Sequence, residues 1–578
     1  MTPTVSPALF DQFARGWRAY VLVGLIALLS ASFGLTRMPP MDIDESRFTQ
    51  ATRQMVETGD YVRIRLQDAE RNRKPIGIHW LQAASVNALE PATGRINTIW
   101  PYRLPSVLGL VLASLAALWG GSVLIGRRAA AIGASLYAAG ILAGIEAMTA
   151  KTDSVLVGLT TLALAALARL RFAEDGAPKR TYALVFWAAI GAGILIKGPV
   201  TPLVAGLTLA ALWFWEKRAD WMKPLAWWPG PLLALAITLP WLIAIGVVTE
   251  GRFYTSLLSN ELGPKLAGED SSHGGPPGYH LLFLSVLIFP ATYAFAAAAR
   301  VSWGAVRALR NDAQKAPLRF LLAWAIPSFV FFELMPAKLM HYALPTYPAI
   351  ALLCGAGLVA WYGRPWRTTQ PIGLVLFAVS GALIVAILAF AATFMPGQFD
   401  TDVRRAVSAG VIGALTLAAA FAGLVLLRRP AAKAAVLIAC SLVFSFSLRE
   451  RLMPESRSLW ASNEITAVLT RARLLPTEER ALWVAGYTQP SLIFLTRTSI
   501  HLSEPEEIGT RAQPGDSIVI EGRALQPTLD ALAANDLRFE PAEPPVRAHA
   551  LSRGERVVLS IGTVEASGAA AAGRTPPT

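Results

Sequence analysis

The chain has 578 residues, of which 54% are hydrophobic and only 16% charged, with a mean hydropathy of +0.45. A water-soluble chain of this length normally carries more charge, so a purely soluble globular protein is excluded. The net charge of +13 is no nucleic-acid signal, because Lys and Arg fall mostly in short loops between apolar runs, where they orient membrane spans. The two cysteines, Cys354 and Cys440, both lie inside apolar runs and support neither a disulfide framework nor a zinc-thiolate site.

Apolar runs of about twenty residues, enough to cross a hydrocarbon core, recur along most of the chain. The first follows Arg15 and Arg18 without a convincing small-residue cleavage site, so a retained first span is expected. Thirteen spans are expected, starting near Tyr20, Tyr102, Ala129, Ser154, Tyr182, Thr201, Leu225, Tyr279, Leu318, Leu339, Pro371, Ala406 and Ala434. The stretch 181–215 divides into two spans at Lys197-Gly198-Pro199.

One set of alternate loops holds Arg127-Arg128, Arg169 to Arg180, Lys217-Arg218, Arg300 to Arg319, Arg364 to Arg367, and Arg428-Arg429 with Lys433. The positive-inside rule assigns these loops and the amino-terminal arm to the cytoplasm. The other loops and the tail are then extracytoplasmic. Nearly every ionisable motif falls on that opposite face: Asp44-Glu45, Lys74, Asp153, Lys197, His273, and Lys338 with His341.

The fold expected is a polytopic α-helical membrane protein with interfacial helices and a carboxy-terminal α/β domain on the outer side. Residues 1–454 form the membrane domain, with long outer loops at 38–101 and 250–278. Within the first loop, 47–58 and 76–89 are amphipathic and read as helices in the interface plane. The second is rich in Gly, Pro and Ser and reads as a mobile cover. Residues 455–565 read as a soluble domain with a helix at 462–473 and strands at 481–485, 491–495, 517–521 and 557–561. Residues 566–578 are low-complexity and read as disordered.

Asp44-Glu45-Ser46-Arg47 follows the first span; a carboxylate there is a general base for an acceptor hydroxyl, a cation ligand or a helix cap. Arg71-Asn72-Arg73-Lys74-Pro75 brings cations to the surface, which suits a phosphate ligand or anionic lipid head groups. Asp153 opens the fourth span as an N-cap or a site carboxylate. Lys197 interrupts an apolar double span, which favours a cavity-facing role over snorkelling. His273, His341 and Glu70 are weak metal candidates, because their spacing lacks a ligand periodicity. No nucleotide-binding motif is present.

These motifs resemble those of GT-C membrane glycosyltransferases, in particular lipid A aminoarabinose transferases and protein-mannosyltransferase-like bacterial enzymes. Asp44-Glu45-Ser46-Arg47 is similar to the family's D-E-x-R signature. Arg73-Lys74-Pro75 with His79-Trp80 looks like N-K-P-P…Y-W, with Arg73, Ile76 and His79 departing from the pattern. Lys197-Gly198-Pro199 is similar to K-G-P, and Lys338 with His341-Tyr342-Ala343-Leu344-Pro345 to the K/R…Y-L-L-P segment. The resemblance spans essentially the whole chain. It implies a polyprenyl-phosphate sugar donor, a glycolipid acceptor such as lipid A, and inverting transfer at the periplasmic face of the inner membrane.

Carried over by position, the resemblance makes Asp44, with Glu45 and Asp153, the catalytic carboxylates. Lys74, Arg73, Arg47, Lys197 and Lys338 would bind the donor phosphate. His79, Trp80, His273, Tyr279, His341 and Tyr342 would line the pocket. A divalent metal is left open as a cofactor, and no nucleic acid is implied. The alternatives are transfer to secreted proteins by a protein O-mannosyltransferase and transport of a lipid-linked sugar. Transport is disfavoured, because the motifs crowd one face and no inverted repeat is visible.

Overall fold

The computed structural model describes residues 16–42, 44–172, 174, 176–263, 274–308, 312–362, 369–399, 401–550 and 553–567. His273 therefore lies outside the described residues, as do 264–272 of the expected cover and the tail from 568.

Among the described residues nine helices are long and apolar enough to cross a membrane. Two bent pairs, Arg127–Ala138 with Ile141–Ala147 at 60° and Tyr279–Leu287 with Ala291–Arg307 at 106°, pass the same test together. Shorter apolar helices cover Arg18–Ser32 and Val200–Glu216. Every expected span thus has a helix or bent pair of its own, and the chain is a multi-pass membrane protein. One start moves: the helix expected near Leu339 begins after a loop, at Leu344–Thr346 and then Tyr347–Tyr362.

In chain order, α1 (Arg18–Ser32) leads to two helices outside the bundle, α2 (Asp44–Thr58) and α3 (Gly77–Thr93), joined through a small hairpin of β1 (Arg65–Leu66) and β2 (Ala69–Glu70). There follow α4 (Trp100–Ile125), the bent pair α5 (Arg127–Ala138) and α6 (Ile141–Ala147), α7 (Asp153–Arg171), α8 (Lys179–Lys197) and α9 (Val200–Glu216). The rest of the bundle is α10 (Pro229–Val248), the short α11 (Arg252–Leu257), the bent α12 (Tyr279–Leu287) and α13 (Phe295–Arg307), and then α14 (Ala316–Leu334), α15 (Tyr347–Tyr362), α16 (Thr369–Phe399), α17 (Val403–Leu426) and α18 (Pro430–Phe446).

Two local features place the start of α7, the end of α8 and the start of α9. A Cβ on Gly109 would lie 2.6 Å from the Ser154 carbonyl carbon, and one on Gly158 2.8 Å from the Gly109 oxygen. Small residues thus let α4 and α7 touch backbone to backbone, which fixes where α7 begins. Gly198 has φ +60°, ψ −127°, a conformation that glycine adopts without a Cβ penalty. It stops α8 at Lys197, and Pro199 with its fixed φ leads into α9. The lysine is thereby held at the turn between two helices.

The carboxy-terminal part carries α19 (Ala461–Arg471), β3 (Leu482–Ala485), α20 (Pro490–Leu495), β4 (His501–Leu502), α21 (Pro505–Arg511), β5 (Ser517–Glu521), α22 (Leu525–Ala533), β6 (Leu537–Pro541), β7 (Val546–Ala550) and β8 (Glu555–Ala566). The sheet order is β4-β3-β5-β8-β6, with β7 also on β8; β3 is parallel to β4 and β5, and the β8 pairings are antiparallel. Alternate side chains feed two cores: Leu482, Val484 and Val519 pack with Ile465 and Leu469 of α19, while Trp483, Ile518 and Ile520 pack with Ile508 and Leu532. The strand expected at 491–495 is instead α20. Pro490 stands at its first turn, where a missing N–H costs nothing, and five of its six residues are buried, so no alternation marks it.

The sheet domain docks on α2. Gln50 Nε2 donates to Thr498 Oγ1 at 2.8 Å, and Arg53 Nη1 donates to the carbonyls of Ile493 (3.2 Å), Phe494 (2.7 Å) and Thr496 (3.2 Å). Ten of the fifteen residues of α2 are buried, Gln54 among them. Of the residues expected off the apolar face of α2, Gln54 is covered by the hairpin turn, where it bonds the backbone N–H and carbonyl of Gln67, and the exposed Glu57 accepts from Thr498 Oγ1 of the second domain at 2.6 Å. Asp42, just before α2, accepts from the Ser491 hydroxyl. Burial pushes its carboxyl up to about 6 against the opposing effects of that bond and of Arg47.

Candidate active site

A cavity of about 360 Å³ opens where the start of α7, the end of α8, the start of α9, the end of α14 and the loop 335–343 meet the 71–75 segment. Its polar lining is Arg73, Lys74, Asp153, Lys197, His341 and Tyr342. The remaining wall is apolar, with Leu156, Leu203, Leu257, Phe331 and Phe332 among its members. Six of the expected site residues, scattered between 73 and 342 in sequence, share this one space.

Lys197 Nζ donates to Asp153 Oδ1 at 2.5 Å. The same oxygen lies 3.6 Å from His341 Nε2, and His341 Nδ1 lies 3.8 Å from Glu146 Oε1. Lys151 Nζ completes the chain at 3.0 and 2.9 Å from the two Glu146 oxygens. Lys197 also stands over the Tyr342 ring, 5.5 Å from its centroid. Two carboxylates, two lysines and one imidazole thus form a row that starts in the cavity lining, at Lys197, Asp153 and His341, and continues beyond it to Glu146 and Lys151. Burial pushes the His341 imidazole down to about 3; Asp153 opposes this, while Lys151, Lys197 and Lys74 reinforce it. His341 is therefore neutral at pH 7. Lys151 outside the spans is raised: Glu146 and Asp153 outweigh its burial.

Glu146 was not among the expected site residues. Its signal was present: a single carboxylate within the apolar run of α6, where an ionisable group has to face a partner or cavity.

Several expected residues lie elsewhere. Glu45 is fully enclosed, and Arg103 grips it from Nε (2.8 Å) and Nη2 (2.9 Å). It also accepts from the backbone N–H of Met41 (2.9 Å) and Ala150 (2.8 Å), so its oxygens are spent on tying α2 to α4 and to the start of the 148–152 segment. Asp44 beside it is exposed at the first turn of α2, and its charge is felt by Lys151. Arg47 does not line the cavity; its charge acts on Asp42. Lys338 is buried and donates Nζ to Met335 O at 2.7 Å, which caps the end of α14.

His79 is buried between α2 and α3, with Nδ1 2.8 Å from Thr52 Oγ1 and its ring against Phe48. Burial holds it down to about 3, with Arg71 acting in the same sense. Trp80 and Leu81 on the other face of α3 line a separate, largely apolar cavity of about 770 Å³ shared with α4, α7 and α8. Tyr279 opens α12, whose first backbone N–H groups, those of Gly278, His280 and Leu281, are received by Glu333. Glu70 is bound to Arg252 (3.3 Å) and to Asn72 Nδ2 (2.9 Å), apart from His341. Among the described residues no three His, Cys, Asp or Glu side chains are grouped to hold a metal.

With this geometry in hand, comparison with known proteins adds the fold. ArnT from Cupriavidus metallidurans, in a crystal structure bound to undecaprenyl phosphate, superposes with a TM-score of 0.73 at 21% identity, over 94% of this chain and 97% of that one. The chain has the GT-C fold. The oligosaccharyltransferase of Archaeoglobus fulgidus, in complex with zinc and sulfate, gives a TM-score of 0.50 at 13% identity, over 87% of this chain and 68% of that one.

In sequence, a family model of dolichyl-phosphate-mannose-protein mannosyltransferases matches residues 73–243, a stretch that holds Arg73, Lys74, Asp153 and Lys197. The undecaprenyl phosphate-alpha-4-amino-4-deoxy-L-arabinose arabinosyl transferase of Shewanella sediminis is 26% identical over 321 residues, 55% of each chain. That of Pseudomonas aeruginosa strain UCBPP-PA14 is 28% identical over 350 residues, 58% of this chain and 59% of its own. The matches thus span little more than half the length of these curated relatives.

Proposed function

We propose that this chain is an inverting glycosyltransferase that moves a sugar from a polyprenyl-phosphate donor to lipid A or a related envelope glycolipid. The reaction takes place at the periplasmic face of a bacterial inner membrane, where the carboxy-terminal domain also lies. The observation that carries this reading is the cavity in which Arg73, Lys74 and Lys197, with Asp153, His341 and Tyr342 beside them, meet a wall of Leu156, Leu203, Leu257, Phe331 and Phe332. Cations beside a greasy surface suit a phosphate that bears a long hydrocarbon tail. The relatives in Shewanella and Pseudomonas carry names of the same chemistry.

In the reaction the bond between the anomeric carbon and the phosphate oxygen breaks, and its electron pair leaves with the polyprenyl phosphate. Arg73, Lys74 and Lys197 neutralise the charge that grows on this leaving group. Asp153, committed to Lys197 and His341, holds the lysine in place. Asp44, the exposed carboxylate of the signature, lies outside the cavity lining but close enough for its charge to reach Lys151 in the row beside it; where the acceptor is a hydroxyl, Asp44 accepts its proton as the new bond to the anomeric carbon forms. Glu45 acts through position, by fixing the start of α2 that carries Asp44.

The test is mass spectrometry of lipid A, bulk glycolipids and secreted proteins from a deletion strain, complemented with wild type or Asp44→Ala. A fixed sugar mass absent from lipid A and restored by wild type alone is the expected result. A mass lost from secreted proteins instead would favour the protein acceptor, the activity that the matching family model's name describes. Full rescue by Asp44→Ala would remove Asp44 from the mechanism and leave it a helix cap.

A further inference from the structure

At the opposite, basic end of the bundle a second polar cavity, of about 510 Å³, lies between the ends of α7 and α9 and the start of α14. It is lined by Arg171, Arg218 and Arg319 against Glu216 and Asp312. Asp312 is turned toward its own backbone, where it accepts from Gln314 N at 2.9 Å. Glu216 pairs with one terminal nitrogen of Arg171, Nη2. The other, Nη1, is buried with no hydrogen-bond partner among the described residues, and the side chain as a whole is 8% exposed. A buried guanidinium nitrogen without an acceptor is costly, so this one calls for a ligand.

The guanidinium is also held in place. Its central carbon stands 4.9 Å from the Trp221 ring centroid and 5.1 Å from that of Phe172. Arg319 is fixed by donating to the carbonyls of Ala305 and Ala308, both at 3.3 Å. Next to Glu216, Trp213 and Phe214 are exposed with Lys217 over both rings, at 5.1 and 4.4 Å. Exposed aromatics with a basic residue mark the level of the lipid head groups.

We propose that this cavity is a second binding site, for a phosphate-bearing anion of the kind an anionic phospholipid head group presents, with the phosphate oxygens received by Arg171 and Arg218. The fork of Arg171 reaches the phosphate through Nη1 while Nη2 stays on Glu216. The site is separate from the donor cavity, because α7 runs its whole length between Asp153 at one and Arg171 at the other.

The experiment titrates the purified full-length protein in detergent with dioctanoyl phosphatidylglycerol, dioctanoyl phosphatidylcholine or inorganic phosphate. Binding is read from the rise in unfolding temperature and from adduct masses in native mass spectrometry. Phosphatidylglycerol should bind wild type, Arg171→Gln should weaken it about ten-fold or more, and the exposed Arg218→Gln about three-fold. Arg218→Gln decides the matter alone if Arg171→Gln does not fold. Inorganic phosphate that binds with the same sensitivity to these variants identifies the free anion as the ligand of the site. Phosphatidylglycerol binding that is equal in wild type and variants, or no tighter than phosphatidylcholine binding, overturns the proposal.

Discussion

Lys197 and Asp153 are joined by a 2.5 Å bond yet lie 44 positions apart, and what brings them together is the backbone rather than either side chain. The glycine at 198 halts one helix, and the close α4–α7 seam fixes the start of another. Lys197→Ala is expected to lower the transfer rate by about 10²-fold, as the loss of one charge that stabilises a leaving group does. Comparison of initial rates in membranes matched for protein content checks this. His341 has a folded pKa of about 3, below its unfolded value near 6.5. The stability tied to its neutral form is thus fully present above pH 6.5 and is lost as pH falls from 6.5 toward 3. Unfolding temperatures between pH 7.5 and 5 should fall less steeply for His341→Gln than for wild type. Glu45→Gln leaves the buried Arg103 without its counter-charge and should destabilise the fold by about 3–5 kcal/mol, far more than the same change at the exposed Asp44. An equal effect of the two changes on denaturant midpoints would contradict that assignment. Charges at the ends of apolar runs make Asp153, Lys197 and His341 stand out in the sequence, whereas Lys74 stands out only through the family resemblance; the fold brings all four to one cavity. The sequence could not separate Asp44 from Glu45, because which of two adjacent carboxylates is buried depends on Arg103, 58 positions from Glu45.

At the scale of elements, α2 works as a shared beam. One face meets α3 through Thr52, His79 and Gln82, and the other receives the sheet domain through Gln50 and Arg53. Arg53 caps the last carbonyls of α20, the place where a cation suits a helix end. Arg53→Ala should weaken this docking by about 1.5–3 kcal/mol, as charged hydrogen bonds of this kind do. Limited proteolysis should then cut the 490–500 region faster while the membrane helices stay intact. Periodicity found the amphipathic stretch of α2 but not what meets its polar side: Gln54 finds its partner in Gln67 of the hairpin turn, and Glu57 in Thr498 of the second domain, neither of which a helical period reveals. For the same reason α20 read as a strand: six residues, nearly all buried, carry no period, and only the proline at 490 marked a helical start.

For the molecule as a whole, basic loops set the expected order and direction of the spans, because each span constrains the phase of the next, and the helices follow that order. The two bent pairs show where length alone misleads: Ile141–Ala147 and Tyr279–Leu287 are too short to cross unaided, and their bends carry Glu146 and His280 to interior positions. Single cysteines introduced at Lys217 and at Lys74 should be labelled by an impermeant reagent from opposite sides of sealed vesicles; labelling from one side would break the topology. Transfer by the purified protein in liposomes supplied with a polyprenyl-phosphate-sugar fraction and lipid A is the most direct test of the proposed reaction. Lipid A should gain one sugar mass with wild type, and Lys197→Ala and Asp153→Asn should lose this gain while remaining folded. Lipid A of unchanged mass with wild type, or a gain that both variants retain, would contradict the proposal.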